Sequence, residues 1–175
     1  MQEIEMSIYV TNLRKYNEGN LVGAWLDLPA TDEEIQEVMD KIGVKEGLVY
    51  PEYFITDYET NCGYEVSGNA NIREVSNDIQ NMIDTENNAG LWEALFEYSG
   101  RDDIENLCDE VSQGYYDFYS DMTAEEYEQQ LVEGCYDLGF DKLGWLANFI
   151  EIDYERMARY DDSIYETENG VLVAC

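Results

Sequence analysis

The chain of 175 residues contains no histidine and only nine lysines and arginines. Without histidine there is no imidazole base for a Ser–His or Cys–His pair, and the commonest ligand of hydrolytic metal centres is missing. Its four cysteines, Cys62, Cys108, Cys135 and Cys175, are far apart and form no C-x-x-C pair. A zinc site is therefore not expected, and free thiols in a reducing cytoplasm are the plain reading. Two prolines, Pro29 and Pro51, are too few for a proline-rich linker. No apolar run approaches the roughly 20 residues needed to span a bilayer. The opening MQEIEMSIYV has neither the basic region nor the apolar core of a secretory signal. The shortage of cations also narrows the partners. Nucleic acid and anionic membranes both require a basic patch, so neither is expected to bind.

Acid takes the place of base. Forty Asp and Glu residues give a net charge of −31. Such a charge strains a compact state by self-repulsion. The chain is nonetheless 45% apolar with 15 Tyr, 5 Phe and 3 Trp, far richer in aromatics than a disordered acidic tail. A folded protein is expected. The charge is uneven: residues 1–45 hold nine acids and four bases, whereas the remaining 130 hold thirty-one acids and only Arg73, Arg101, Lys142, Arg156 and Arg159. The window 102–141 carries thirteen acids and no base. The partner implied is cationic: a metal ion, a basic peptide, or a protein that normally grips DNA.

The order of elements predicts an α+β protein of three small domains. Over 1–65, MSIYVTNL and LVGAWLDL read as strands joined by the loop RKYNEGN. A helix follows over TDEEIQEVMDKIG, then a strand YFITDYE, giving a β-β-α-β unit. Thr31 and Glu34 form a capping box. Ile35, Val38, Met39 and Ile42 share one face, and Gly43 is the stop. A helical middle domain is predicted over 66–113. There Ile72, Val75, Ile79 and Met82 share a face, AGLWEALFEYSG lies between glycines, and Ile104, Leu107, Cys108 and Val111 point inward. The C-terminal α+β domain, 114–175, opens with the strand-like YYDFYS. A helix over 124–138 follows, capped by Thr123 and Glu126, with Tyr127, Leu131, Cys135 and Leu138 on its apolar face. KLGWLANFI and DYERMARY suggest short helices. Asn169-Gly170 between β-like runs marks a terminal hairpin.

On this reading the thirteen acids, Asp102, Asp103, Glu105, Asp109, Glu110, Asp117, Asp121, Glu125, Glu126, Glu128, Glu133, Asp137 and Asp141, are candidate partner-binding groups. Glu126, Glu133 and Asp137 line one flank of the 124–138 helix, and pairs recur along 102–112. Duplex DNA presents one negative charge per roughly 1.7 Å of axis, so thirty-one charges at that spacing correspond to at most about 50 Å, on the order of 15 base pairs. An ordinary solvated face mixes signs, because like charges one turn apart are mutually unfavourable; forty residues without a cation suggest a use for the field. Other uses of the acids are also open. One is solubility in a halophile. Another is a calcium loop over DYETNCGYEVSG, in which Cys62 and Gly68 stand where the turn glycine and the bidentate glutamate belong. A third is paired-carboxylate catalysis, for which forty acids supply pairs without specificity. Neither a catalytic residue, a metal site nor a cofactor is assigned. The aromatic cluster of Tyr115, Tyr116, Phe118, Tyr119 and Tyr127, with Leu131, reads as core edge or protein interface.

Two segments carry a family resemblance. IYVTNLRKYNEGNLVGAWLDLPATDEEIQEVMDKIGV (8–44) and LGWLANFIEIDYERMARYDDSIYETENGVLVA (143–174) resemble the opening and ending of the ArdA antirestriction proteins. Tyr16, Asn17, Gly19, Gly23, Trp25, Asp153, Tyr154, Ala158 and Arg159 carry the match, while 66–120 agrees only in acidity. The family often continues with Asp-Leu after Ala-Arg; here Tyr160 and Asp161 follow. The resemblance implies an elongated, curved, three-domain homodimer that mimics DNA. Its partner would be a type I restriction–modification enzyme, through the modification and specificity subunits. Dimerisation in the family involves the C-terminal part, which suggests the aromatic and apolar residues of 115–138. A DNA mimic aimed at a CRISPR effector, a nucleoid protein or a repressor has the same composition.

Overall fold

The structure, a computed structural model, describes residues 2–44, 52–100 and 103–175. The chain is mixed α+β and divides into two compact units, Met1–Gln113 and Gly114–Cys175.

The first unit opens with strand β1 (Met6–Asn12), a short helix α1 (Leu13–Asn17), strand β2 (Gly23–Leu28), helix α2 (Asp32–Ile42) and strand β3 (Tyr53–Thr60). The strands form an antiparallel sheet in the order β2-β1-β3. β1 is therefore central, and its Ile8 and Val10 are completely buried. Helix α2 packs on β1 and β2 through Ile35, Met39 and Ile42. Its ends are as the sequence predicts: Thr31 and Glu34 close a capping box, and Gly43 adopts the left-handed conformation that ends the helix. α1 occupies what the sequence suggests is an open loop. The Asn12 side chain accepts a bond from the Lys15 N–H at 2.9 Å, enough to start one helical turn.

Helices α3 (Ile72–Thr85), α4 (Ala89–Ser99) and α5 (Ile104–Ser112) complete this unit. Ile72, Val75, Ile79 and Met82 are all buried along one stripe of α3. Trp92, Leu95 and Leu107 are among the most completely buried side chains. Two sets of bonds tie these helices to the sheet layer. Ser76 both donates to the Ala30 carbonyl and accepts from the Ala30 N–H, and the Ala89 N–H donates to the Gln2 carbonyl. The helices over 66–113 thus lie in the same compact unit as the first sheet.

The second unit contains strand β4 (Tyr116–Ser120), helix α6 (Ala124–Cys135), a 3-10 segment (Phe140–Phe149), helix α7 (Tyr154–Tyr160), and strands β5 (Ile164–Thr167) and β6 (Gly170–Ala174). The antiparallel order is β4-β6-β5, so Val171, Leu172 and Val173 of the central strand are buried. Tyr119, Tyr127, Ala158 and Ile164 pack on a small nucleus of Ala124, Val171 and Val173.

Two local expectations are corrected here. The terminal hairpin forms, but Thr167 pairs with Gly170, so the two-residue loop is Glu168-Asn169 and Gly170 already belongs to β6. Helix α6 stops at Cys135 rather than 138, because Tyr136 takes extended backbone and its N–H closes on the Val132 carbonyl. The left-handed Gly139 precedes the 3-10 segment.

Candidate partner-binding surface

The thirteen carboxylates singled out by sequence do not share one environment. Asp102 lies outside the described residues. Asp103, Glu105, Asp109 and Glu110 belong to the first unit and the others to the second. On α5, burial of Ile104, Leu107 and Cys108 fixes the helix phase and leaves Glu105 and Asp109 exposed one turn apart. Asp103 caps that helix, accepting from the Asn106 N–H at 3.2 Å. Glu110 is half-buried and accepts from the Asn106 side chain at 3.3 Å.

In the second unit Asp117, Asp121, Glu125, Glu126, Glu133, Asp137 and Asp141 are exposed. Several also hold local structure. Glu126 accepts from both the N–H and the hydroxyl of Thr123, placing an anion at the positive end of α6. Glu133 accepts from Gln129, and Asp137 from the Gly139 N–H. Asp121 is the one non-glycine residue with positive φ, 56°, among the described residues. The expected row of Glu126, Glu133 and Asp137 along one helix flank is broken, since Asp137 lies beyond the end of α6.

Glu128 is the main correction. The DNA-mimic expectation displays it to solvent, but it is only 3% exposed. The buried stripe of α6 is Ala124, Glu128 and Val132, while Cys135 and Leu138 of the expected apolar face are exposed. The helix is rotated because the unit's small nucleus packs on Ala124.

Five of the seven cations among the described residues are engaged elsewhere. Arg14 and Lys15 pair with Glu18, Arg73 with Asp32, and Arg159 with Glu155. Arg156 stands over the Tyr160 ring. Lys15 holds the Glu18 carboxyl below its usual range. Burial pushes the Cys108 thiol up, which disfavours the thiolate a nucleophile requires. Among the described residues, no group of three or more Cys, Asp and Glu is placed to hold a metal ion. The calcium-like segment fails for a visible reason: residues up to Thr60 are extended in β3 and paired with β1, where a calcium loop would have to wrap.

The aromatic cluster separates as well. Tyr119 and Tyr127 face each other, with ring centroids 5.1 Å apart, against the unit's own nucleus. Tyr116, Phe118 and Leu131 are half-buried, and only Tyr115 is exposed. A run of large apolar side chains open to solvent lies further along the second unit. Leu138, Leu143, Trp145, Leu146, Phe149 and Ile150 are all exposed, Trp145 at 71% and Phe149 at 75%. The rings of these two meet edge to face at 5.7 Å. Sequence periodicity missed this strip because 3-10 geometry around the kink at Gly144 has no helical phase to read. It also missed an open cleft of about 890 Å³ in the first unit, where Glu65, Glu93 and Glu97 stand among Tyr58, Tyr64 and Phe96. Glu93 and Glu97 are one turn apart on α4, but no local pattern joins them to Glu65.

Arrays of this kind can attract and hold cations. Residues 8–173 match the model of a family described as antirestriction protein (ArdA). No curated protein matches the chain.

Proposed function

The chain belongs to the ArdA antirestriction protein family, and from that premise we propose that it occupies the DNA channel of a type I restriction–modification enzyme as a mimic of DNA. Its carboxylates would stand in for phosphates opposite the lysines and arginines of the modification and specificity subunits. The observation that carries this reading is the stretch 103–141. It contains no cation, and ten of its carboxylates are exposed. Carboxylates without local counter-charges repel one another when the protein is free, and a cationic channel relieves that repulsion on binding. Association is then fast, salt-sensitive and spread over many modest contacts. No bond is made or broken, so no cofactor enters.

The homodimer proposed for this chain is placed on the apolar strip of Leu138–Ile150 rather than on the tyrosines of 115–127, two of which complete the core of their own unit. Three features support that placement. The strip is contiguous in sequence. Six large apolar side chains in it are exposed. The second unit has only five buried apolar residues among those described, against twenty-five in the first. A unit with so small a core is marginal alone and gains from covering such a surface. The site of action is the cytoplasm, where the target enzyme meets incoming DNA. Among the described residues no helix is long and apolar enough to cross a membrane.

The deciding experiment is competition. Purified protein, titrated into a type I methyltransferase core bound to labelled duplex, displaces the DNA at near-stoichiometric amounts. Absence of displacement at a large molar excess refutes the type I target. Displacement of DNA from a nucleoid protein or CRISPR effector in parallel assays then identifies a mimic aimed elsewhere.

A further inference from the structure

The sheet of the first unit has two faces of opposite character. Ile8, Val10, Ala24, Leu26 and Ile55 are buried on the face that carries α2. Side chains alternate along a strand, so the residues between them form the other face. The register sets these in rows: Trp25, Tyr9 and Asp57 in one, and Asp27, Ser7 and Glu59 in the next. Asp27, Asp57 and Glu59 are exposed, and Trp25 is 44% exposed.

A β-bulge aims the acids of β3 at that face. Val10 pairs with Ile55, but Tyr9 pairs with Asp57, so Thr56 is an extra residue. Its hydroxyl lies 2.8 Å from that of Thr11. With regular pairing Tyr9 and Ser7 would face Thr56 and Tyr58, and Asp57 and Glu59 would turn towards the core. The rings are placed as well. Tyr9 and Trp25 meet edge to face with centroids 5.3 Å apart. One end of the face is closed by the chain itself, where Tyr16 of α1 meets Phe54 at 5.0 Å. Towards the other end, Ser7, Asp27 and Glu59 line a depression of about 490 Å³.

We propose that this open face docks an arginine-bearing segment of a partner protein, with the side chain along Trp25 and the guanidinium over Ser7 between Asp27 and Glu59. The two rows lie about 7 Å apart along the strands, and Asp27 and Glu59 stand about 10 Å apart across two strand spacings. That is too wide for one metal ion to bind both carboxylates. A planar guanidinium has donors on both edges and stacks on aromatic rings, so it suits carboxylates on either side and an indole beneath. Among the described residues none of Asp27, Asp57 and Glu59 is held in an ion pair, and Asp57 accepts only from the Tyr58 N–H at 2.9 Å. Nucleic acid is repelled by these acids, and a second copy would set the same three carboxylates against each other.

None of these residues belongs to the stretch 103–141, and the inference stands whichever enzyme the chain inhibits. It also has a signature of its own. The general attraction of a −31 chain does not distinguish two peptides of equal positive charge. A lysine ammonium is compact and strongly hydrated, and it neither stacks on an indole nor reaches both carboxylates as a flat guanidinium does. Arginine should therefore be preferred to lysine at this face.

The test titrates the full chain, at about 0.15 M salt, with a capped Gly-Arg-Gly-Arg-Gly peptide and with its lysine counterpart, followed by NMR. The arginine peptide shifts the Trp25 indole N–H and the amides of β1, β2 and β3 saturably, and binds there on the order of tenfold tighter than the lysine peptide. Asp27→Asn with Glu59→Gln weakens arginine binding at this face roughly tenfold. Trp25→Leu keeps both acids and removes the preference for arginine. The wild type alone can refute the idea: a Trp25 signal that does not move, or equal affinity for the two peptides at this face, overturns it. So does a double variant that binds as the wild type does. A Trp25 signal that shifts on dilution of the protein alone overturns it too, and assigns the face to a second copy.

Discussion

Gly170 lies so close to the backbone of Tyr119 that a Cβ built on it would stand 2.2 Å from the Tyr119 carbonyl oxygen. Its φ of +150° is also one that side chains rarely adopt. Both facts follow from its register, since Gly170 opens the central strand directly opposite Ser120 at the start of the β4 pairing. Gly170→Ala has to displace backbone rather than a side-chain end, so relief is costly. The expected loss is about 3 kcal/mol, combining overpacking with strain. Urea unfolding followed by the amide signals of β6 checks this. The second unit should melt early while signals of α3 persist, and an unchanged midpoint would remove the argument.

The two capping boxes make a paired test. Thr123→Ala removes the hydroxyl that accepts from the Glu126 N–H at 3.2 Å and should cost about 1 kcal/mol. At the other box, the Thr31 N–H, and then its hydroxyl, hold Glu34 below its usual range. A depressed carboxyl stabilises the fold above its ordinary value, and that contribution disappears as pH falls through the lowered one. Glu34→Gln should flatten the acid side of the stability profile of the first unit. Thermal melts across the acid range, wild type against variant, show whether it does.

Much of the fold was legible where local chemistry and tertiary packing agree. Thr31, Glu34 and Gly43 announce α2, and the stripe of α3 is buried as its spacing requires. Periodicity misplaces the stripe of α6 because it counts only apolar side chains: it passes over Glu128 and runs through Cys135 and Leu138 instead. A glutamate on the buried stripe of a helix is announced by no one-dimensional pattern. The hairpin was placed one residue late for a similar reason. Asn-Gly is a strong turn signal, but the glycine is required by a neighbouring strand about fifty residues away in sequence. Of the binding surface, the charge was legible and the geometry was not. Carboxylates at 126, 133 and 137 fall in one row only if the helix continues past Cys135.

Salt should separate electrostatic mimicry from apolar recognition. At about 0.15 M ionic strength the screening length is about 8 Å, and at 1 M about 3 Å. If exposed carboxylates carry the interaction, added salt lowers the association rate steeply while dissociation changes little. Stopped-flow binding to a methyltransferase core over a salt series measures both rates. A salt-independent association rate would leave the −31 charge without a role in recognition.

Many weak contacts imply tolerance of single losses. Exposed ion pairs contribute about 0.2–1 kcal/mol each. One neutralisation among Glu105, Asp109, Asp117, Asp121, Glu125 and Asp141 should therefore weaken inhibition about twofold, and all six together roughly a hundredfold. These six are exposed. Asp121→Asn suits its positive φ. Inhibition titrations on each single variant and on the sixfold variant decide. A single substitution that abolishes activity in a folded protein points instead to catalysis or a specific metal.

The exposed strip makes the last prediction, and net charge sets its difficulty. Two copies of a −31 chain repel, so pairing needs an apolar contact strong enough to overcome that repulsion. Trp145 and Phe149, already in edge-to-face contact, are the largest side chains available for it. Trp145→Ser with Phe149→Ser should convert a dimer to a monomer at micromolar concentration, as read by sedimentation equilibrium. Because both side chains are exposed in the single chain, helix content should hardly change. Added salt should tighten the wild-type dimer, the opposite of its effect on the target complex, since screening weakens repulsion between copies and attraction to the enzyme alike. A wild type that stays monomeric at high salt, or a double variant that remains a dimer, moves the contact away from this strip.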